Sequence, residues 1–382
     1  MSSSSDFLRQ LPDSAAHFSR AESFWRRIHI DPVLLLLLLL LTGFGLFALY
    51  SGSGQSLAVV KRQLAFYFIA YCAMFTVAQL DMKLLCRWAP WFYGIGIVLL
   101  ILVYIVGVQA KGAQRWISLG FIRFQPSEVL KIAVPVAMAA YFSSRMLPPK
   151  LKHIIAALII VGLPAVLILK QPDLGTSILI AASGLLVLFL AGLRWRYILG
   201  SFCLLGASAW PIWNYVLHGY QKQRILTLFN PEADRFGAGW NTIQAKIAIG
   251  SGGLNGKGWL NGSQSQLDFL PESHTDFIIA VLAEEFGFVG VVALLALYFA
   301  IVSRGLFIAW TAQTTFNRLL AGSLILTFFV YIFVNVAMVG GLLPVVGVPL
   351  PLVSLGGTSL VTLMLAFGIL MAIATDTNKP SN

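Results

Sequence analysis

The sequence predicts an all-α polytopic membrane protein of about ten transmembrane helices, with one large outer loop between the seventh and the eighth. Three observations carry this. Of 382 residues, 58% are hydrophobic and only 11% are charged, whereas soluble globular chains carry about 25% charged residues. The mean hydropathy is +0.83. Apolar runs of spanning length recur from residue 32 to residue 375, separated by polar or Gly/Pro-rich breaks. A spanning helix needs roughly 20 apolar residues, so the length admits about ten spans and one sizeable loop but no separate soluble domain.

Residues 1–30 are polar and Ser-rich, with Arg9, Arg20, Arg26 and Arg27 ahead of the leucine run from Leu34 to Leu41. That run continues to Tyr50 without a small-residue cleavage site, so it reads as a first span behind a cytoplasmic tail and not as a removed signal. Spans follow near 32–50, 63–80, 89–108, 126–144, 153–170, 175–193, 196–214, 275–303, 317–339 and 352–375. They make one transmembrane domain over 31–376, with a second cytoplasmic tail at 377–382. In this orientation the inner connections hold Lys83, Arg87, Arg145, Lys150, Lys152, Arg194, Arg196, Arg304 and Arg318, as the positive-inside rule expects. The bias is partial, because Lys61, Arg62, Lys111, Arg115, Arg123 and Lys170 fall outside. The net charge of +11 is thus distributed as membrane topology requires, which argues against nucleic acid as a partner. Cys72, Cys86 and Cys203 lie in or beside spans without ligand-like spacing, so neither a disulfide framework nor a zinc site is indicated.

The outer stretch 214–274 is too long for a simple connection. It carries Lys222, Arg224, Arg235, Lys246 and Lys257 against Glu232, Asp234, Asp268 and Glu272, with a Gly-rich centre. Such balanced charge does not mark a disordered tail. The stretch from Gly340 to Ser359 is apolar but broken by Pro344, Pro349, Pro351 and five glycines. Irregular backbone at membrane depth survives where it is buried in protein or faces a water-filled cavity. It reads either as the wall of an outer cavity or as an ordinary outer loop.

Ionisable residues inside spans are few, and each costs about 2.5–3.5 kcal/mol at a helix centre. Glu128 and Lys131 sit three apart on one face of the fourth span, where they neutralise each other. They either pin a helix contact or line a polar cavity. At Asp276 a polar approach turns into an apolar helix, with Glu284 and Glu285 about two turns further on. Ser273 and Asp276 fit a capping box, which is the structural alternative to a chemical role. Capping favours the ionised carboxylate and burial the protonated acid, so the sequence leaves its basicity open. Between the third and fourth spans, Lys111, Arg115 and Arg123 alternate with Trp116, Ile117, Phe121 and Phe124. This suits an amphipathic segment among membrane lipid headgroups, and its cations suit a pyrophosphate if it roofs a cavity.

GAQRWISLGFIRFQPSE at 112–128, QPDLGTS at 171–177, GYQKQRILTLFNPEAD at 219–234, GWNTIQAKIAIGSGGLNGKGW at 239–259, FLPESHTDFIIAVLAEEFG at 269–287 and PLPLVSLGGTSL at 349–360 together resemble the SEDS family (shape, elongation, division and sporulation) along essentially all ten spans. IRFQPSE resembles its rod-shape branch more than its division branch. The resemblance implies a peptidoglycan glycosyltransferase of the bacterial inner membrane. Such an enzyme polymerises lipid II into β-1,4 glycan strands at the periplasmic face during cell elongation, with inversion and release of undecaprenyl pyrophosphate. By the family's pattern Asp276 is the essential acid, Asp268 a second acidic position and Trp116 the loop tryptophan, while Glu128 and Lys131 match the polar pair of the fourth span. The expected catalytic residue is Asp276. The expected substrate-binding residues are Lys111, Arg115, Trp116, Glu128, Lys131, Arg224, Asp268 and His274. An in-line displacement needs a base near the acceptor hydroxyl and positive charge near the departing pyrophosphate, the latter from Lys111, Arg115 and Arg224. A divalent cation, magnesium or manganese, is compatible with that second role, although no dedicated ligand cluster is visible. The resemblance also implies a class B penicillin-binding protein transpeptidase as partner, packed near the eighth and ninth spans. By physics alone a lipid II transporter fits the polar residues equally well, with Glu284 and Glu285 on its path. A scaffold that only recruits the transpeptidase is the third reading.

Overall fold

The computed structural model describes residues 24–110, 113–118, 123–217, 219–230, 232, 238–266, 269–270 and 272–376. Each of the ten apolar segments falls on a helix. These are α1 (Pro32–Gly52), α2 (Leu57–Ala78), α3 (Met82–Val106), α4 (Pro126–Ser143), α5 (Leu151–Lys170), α6 (Leu174–Leu190) and α7 (Trp195–Pro211). After α8 (Gly219–Phe229) and α9 (Ala238–Gly252) come α10 (Ile278–Thr311), α11 (Thr315–Val339) and α12 (Thr358–Asp376). Seven of them, α1, α2, α3, α5, α10, α11 and α12, are long and apolar enough to cross a membrane, and α6 is a shorter apolar helix. The chain is therefore a polytopic membrane protein. The two tails at 1–23 and 377–382, together with Lys111 and Asp268, lie outside the described residues.

In α11 and α12, 67% and 61% of the spanning residues are buried, against 22% in α2 and α3; the former pair sits inside the bundle and the latter at its lipid-facing rim. Helix α1 starts where Pro32 supplies a fixed φ and the Asp31 carboxylate accepts from the Leu34 amide at 2.8 Å. The same carboxylate pairs with Arg304 of α10 at 2.5 Å. At the opposite end of the two helices, Ser51 donates to Glu285, and Ser273 donates to the Gly52 carbonyl at 2.8 Å. Asp31 to Ser51 and Glu285 to Arg304 each cover roughly 30 Å at the helical rise of 1.5 Å per residue, the thickness of a bilayer's hydrocarbon core. Glu284, Glu285 and the Ser273–Asp276 turn consequently lie at one membrane interface, at the end opposite Arg304.

Helix α10 is interrupted at Gly287, whose φ of +65° and ψ of −161° leave the helical region. The backbone of 253–258 enters the gap. Lys257 and Gly258 amides donate to the Glu284 and Glu285 carbonyls, and the Phe288 and Val289 amides donate to Gly253 and Leu254. The broken ladder is thereby re-paired by loop backbone, which is the condition for irregular chain near lipid.

Three expectations change. The segment between α3 and α4, read as an amphipathic interfacial stretch, is a small antiparallel ribbon, β1 (Val108–Ala110), β2 (Ala113–Ser118) and β3 (Arg123–Phe124), within a fold that is otherwise all-α. Its alternating side chains suit paired strands, in which successive residues face opposite sides. The capping box is not formed. Helix α10 begins two residues beyond Asp276, with Ser273 drawn to the end of α1 and Thr275 donating to Glu272 at 2.7 Å. The last helix starts at Thr358 and not near 352, because 340–357 runs as an irregular segment whose most buried part is 348–354.

Candidate active site

Residues 340–357 form one wall of the site, and their polar backbone is held by four side chains from three helices. Tyr67 donates to the Leu352 carbonyl at 2.7 Å and Gln63 to the Ser354 carbonyl at 3.2 Å, both from α2. Tyr298 of α10 donates to the Pro351 carbonyl at 2.5 Å. Asn335 of α11, fully buried, donates to the Val348 carbonyl at 2.7 Å. Each of these satisfies a buried acceptor that would otherwise carry a large desolvation cost.

The turn 272–277 is docked on this wall. The Leu355 amide donates to the His274 carbonyl at 2.9 Å, Ser354 donates through its hydroxyl to the Thr275 carbonyl, and Asn335 donates to the Asp276 carbonyl at 2.9 Å. Asn335 thus ties Asp276 and Val348 together. Next to Val348, Gly347 adopts a φ of +75°, and a Cβ there would lie 3.4 Å from the Asp276 Oδ2. The carboxylate faces a glycine, where the wall is thinnest. Asp276 is partly exposed and His274 is too, its carbonyl being the group engaged with the wall.

The same segment leads from Asp276 to two cations. Lys246 of α9 packs over Gly341, so closely that a Cβ at that glycine would meet its Cε at 2.4 Å. Arg224 of α8 lines a groove with Thr227, Thr242, Leu343, Pro344 and Val345. Arg224 and Lys246 therefore flank 341–345, a few residues before the glycine that faces the carboxylate. Lys246 appeared in the sequence only as one charge among several in the long loop.

Arg115 is placed differently from expectation. Its guanidinium lies 3.3 Å from the Asp173 carboxylate and donates to the Gln171 carbonyl at 3.1 Å and to the Pro172 carbonyl. Asp173 also caps α6 by accepting from the Thr176 amide. Arg115 thus fastens β2 to the start of α6, while Trp116 pairs across the ribbon with Val108. Glu128 and Lys131 form the expected pair at 2.5 Å, buried in the bundle, with the ammonium 5.3 Å from the centre of the Tyr331 ring. Tyr331 lies one turn before Asn335 on α11, so this pair backs onto the residue that holds Asp276. Glu128 Oε2 and Asn335 Oδ1 are buried acceptors without a protein hydrogen bond. Among the described residues no group of three or more His, Cys, Asp or Glu side chains gathers as a metal site.

Glu284 is fully buried and accepts from Lys257 at 2.7 Å, from the Ser263 hydroxyl at 3.0 Å and from the Gln264 amide at 3.1 Å. Glu285 is engaged by Ser51. Both glutamates close the Gly287 break at the interface and do not mark a path through the bilayer, which removes the observation that favoured a transporter.

Residues 32–379 match the cell cycle protein family that groups FtsW, RodA and SpoVE. The chain is 52% identical over 354 residues to the peptidoglycan glycosyltransferase MrdB of Escherichia coli K12, covering 93% of this chain and 96% of that protein. It is 39% identical over 368 residues to a probable peptidoglycan glycosyltransferase FtsW of Trichlorobacter lovleyi, covering 92% and 94%. Among solved structures, a chain of a peptidoglycan synthase complex that coordinates polymerization and crosslinking superposes with a TM-score of 0.82 at 28% identity, covering 92% of this chain and 99% of that one. The crystal structure of the rod shape determining protein RodA of Thermus thermophilus gives 0.70 at 27% identity, covering 92% and 98%. The chain belongs to the FtsW/RodA/SpoVE family.

Proposed function

We infer that this protein is a peptidoglycan glycosyltransferase that polymerises lipid II into β-1,4 glycan strands during cell elongation. The observation that carries the reading is the likeness to MrdB along nearly the whole of both chains. The site supports it: a carboxylate held from its backbone at one membrane interface, with Arg224 and Lys246 along the adjoining wall.

In the step we propose, the acceptor's GlcNAc 4-hydroxyl attacks the MurNAc anomeric carbon of the donor. Asp276 takes the hydroxyl proton as the new C–O bond forms, the bond to the pyrophosphate oxygen breaks, and undecaprenyl pyrophosphate leaves with the bonding pair. One displacement converts the α-linked donor into a β-linked product. Positive charge at the leaving group stabilises the transition state; Arg224 and Lys111 supply it, and Arg115 holds the ribbon next to Lys111 in place. Trp116, Glu128, Lys131, Asp268 and His274 belong to the same substrate site. A base needs a fixed position as well as proximity, and the Asn335 bridge to the Asp276 carbonyl supports that role.

The reading places the protein in the bacterial inner membrane with about ten spans, α4, α6 and α7 completing the set. Both termini are cytoplasmic and Asp276 is at the periplasmic face. Its partner is a class B penicillin-binding protein, whose membrane helix packs near α10 and α11. Exposed apolar residues there, Phe288, Phe299, Phe329 and Phe333, suit such a helix. Membrane lipids cover the remaining rim.

The reading is tested by glycan synthesis from purified lipid II in liposomes, with and without the cognate transpeptidase. Long strands from the wild type, absent with Asp276→Ala of equal thermal stability, are the expected result. No strands from the wild type even with the transpeptidase present would overturn the reading.

A further inference from the structure

The end of the bundle opposite Asp276 is divided in its charge. On the side of α1, α10, α11 and α12, acids meet donors: Asp31 with Arg304 at 2.5 Å, and Asp376 with the Asn317 amide at 3.0 Å. On the side of α4 to α7 there are only cations. Arg145, Lys150 and Lys152 lie at the α4–α5 connection, Arg194 and Arg196 at the α6–α7 connection, and no Asp or Glu occurs in 129–172 or 174–231.

The fold brings these two connections together. A Cβ at Gly192 would lie 3.7 Å from the Pro148 Cβ. Arg145, Lys150 and Lys152 are close enough to His153 to interact with it electrostatically. Arg145 is stacked 3.6 Å over the Tyr141 ring, and Tyr141 is hydrogen-bonded to His153 at 3.3 Å. None of the five cations makes a salt bridge among the described residues. Arg194, Arg196 and Tyr197 line a cavity of about 280 Å³. Trp195, between the two arginines, is 73% exposed, and at the neighbouring α4–α5 connection Met146 and Leu151 are exposed at 93% and 54%.

We propose that this cavity binds the phosphodiester headgroup of an anionic phospholipid of the facing leaflet. Two guanidiniums at one cavity match a phosphate through charge-assisted hydrogen bonds. The exposed apolar rim accommodates acyl chains, and Trp195 suits the headgroup level. A zwitterionic headgroup brings its own ammonium against five cations, so net charge selects the ligand. Ordinary positive-inside bias accounts for cations on inner connections, but not for two acid-free connections packed against each other beside a cavity that two guanidiniums line. The site is independent of the glycosyltransferase reading, which supplies only the leaflet's name.

The test is native mass spectrometry of the full chain released from nanodiscs containing equal phosphatidylglycerol and phosphatidylethanolamine. The wild type is expected to retain phosphatidylglycerol at least fivefold over phosphatidylethanolamine. Arg194→Gln with Arg196→Gln, and separately the exposed pair Lys150→Gln with Lys152→Gln, are expected to lower that preference at least threefold. Lys61→Gln with Arg62→Gln, on the opposite face, is expected to leave it unchanged. Equal retention of both lipids by the wild type, or an unchanged preference in both inner-face variants, would overturn the proposal. Loss of the retained lipid on adding inorganic phosphate alone would overturn the lipid as ligand in favour of a soluble phosphate.

Discussion

Regular backbone fails in this protein at two places near the same membrane interface, and the two are repaired by different means. At Gly287 the helix is opened and closed again by loop backbone, with Glu284 locked among Lys257, Ser263 and Gln264. At 340–357 the repair is done by single polar side chains from α2, α10 and α11, each reaching one carbonyl. Backbone repair fills the gap and leaves no room. Side-chain repair holds a thin wall from behind and leaves its front to Asp276. On the proposed function the first break is architectural and the second backs the proposed base; both contain a glycine with positive φ, and only the partners tell them apart.

This contrast is sharpest at Gly287→Ala. A Cβ there would lie 2.3 Å from the Gly256 amide nitrogen, and neither backbone can yield. The expected loss is about 4 kcal/mol or more, read as failure to obtain monodisperse protein in detergent. Glu284→Ala strips the acceptor from three donors while Lys257 remains able to reach water. The expected cost is about 2–3 kcal/mol in thermal denaturation, with the polymerisation rate per folded molecule close to wild type. A large rate loss without a stability loss would place Glu284 in the chemistry and erase the distinction.

On the other side, Asn335→Leu leaves the Asp276 and Val348 carbonyls without their donor. A stability loss of about 2 kcal/mol is expected, with a polymerisation rate lowered roughly 10- to 100-fold as the carboxylate shifts. Recovery of rate with Asn335→Gln above Asn335→Leu would support positioning over bulk. Gly347→Ala asks an alanine to hold a φ of +75° beside the carboxylate, which costs about 1–2 kcal/mol. Its rate loss is expected to be smaller than that of Asn335→Leu, because the added methyl is in ordinary contact distance.

Much of this arrangement was legible in the sequence where its cause is local. Apolar runs located the helices, and Glu128 and Lys131, three apart, are paired as expected. What was not legible depends on distant partners. Gln63 reads as one polar residue in an apolar helix until the Ser354 carbonyl, almost three hundred residues away, is beside it. Ser273 offered a local cap, but the end of α1 took it. The alternation of Gln114 to Ser118 carried the ribbon signal, masked by its suitability for a membrane interface. Arg115 looked available for phosphate because Asp173 lies beyond two whole helices, α4 and α5.

On the proposed function the Asp276 charge acts on the acceptor while Asn335 holds its backbone. Asp276→Asn keeps the size and the backbone contact and removes the negative charge. In lipid II polymerisation by purified protein with its transpeptidase, an unchanged melting temperature and a rate lowered about 100-fold or more are expected. A folded Asp276→Asn protein that polymerises within threefold of the wild type would contradict it.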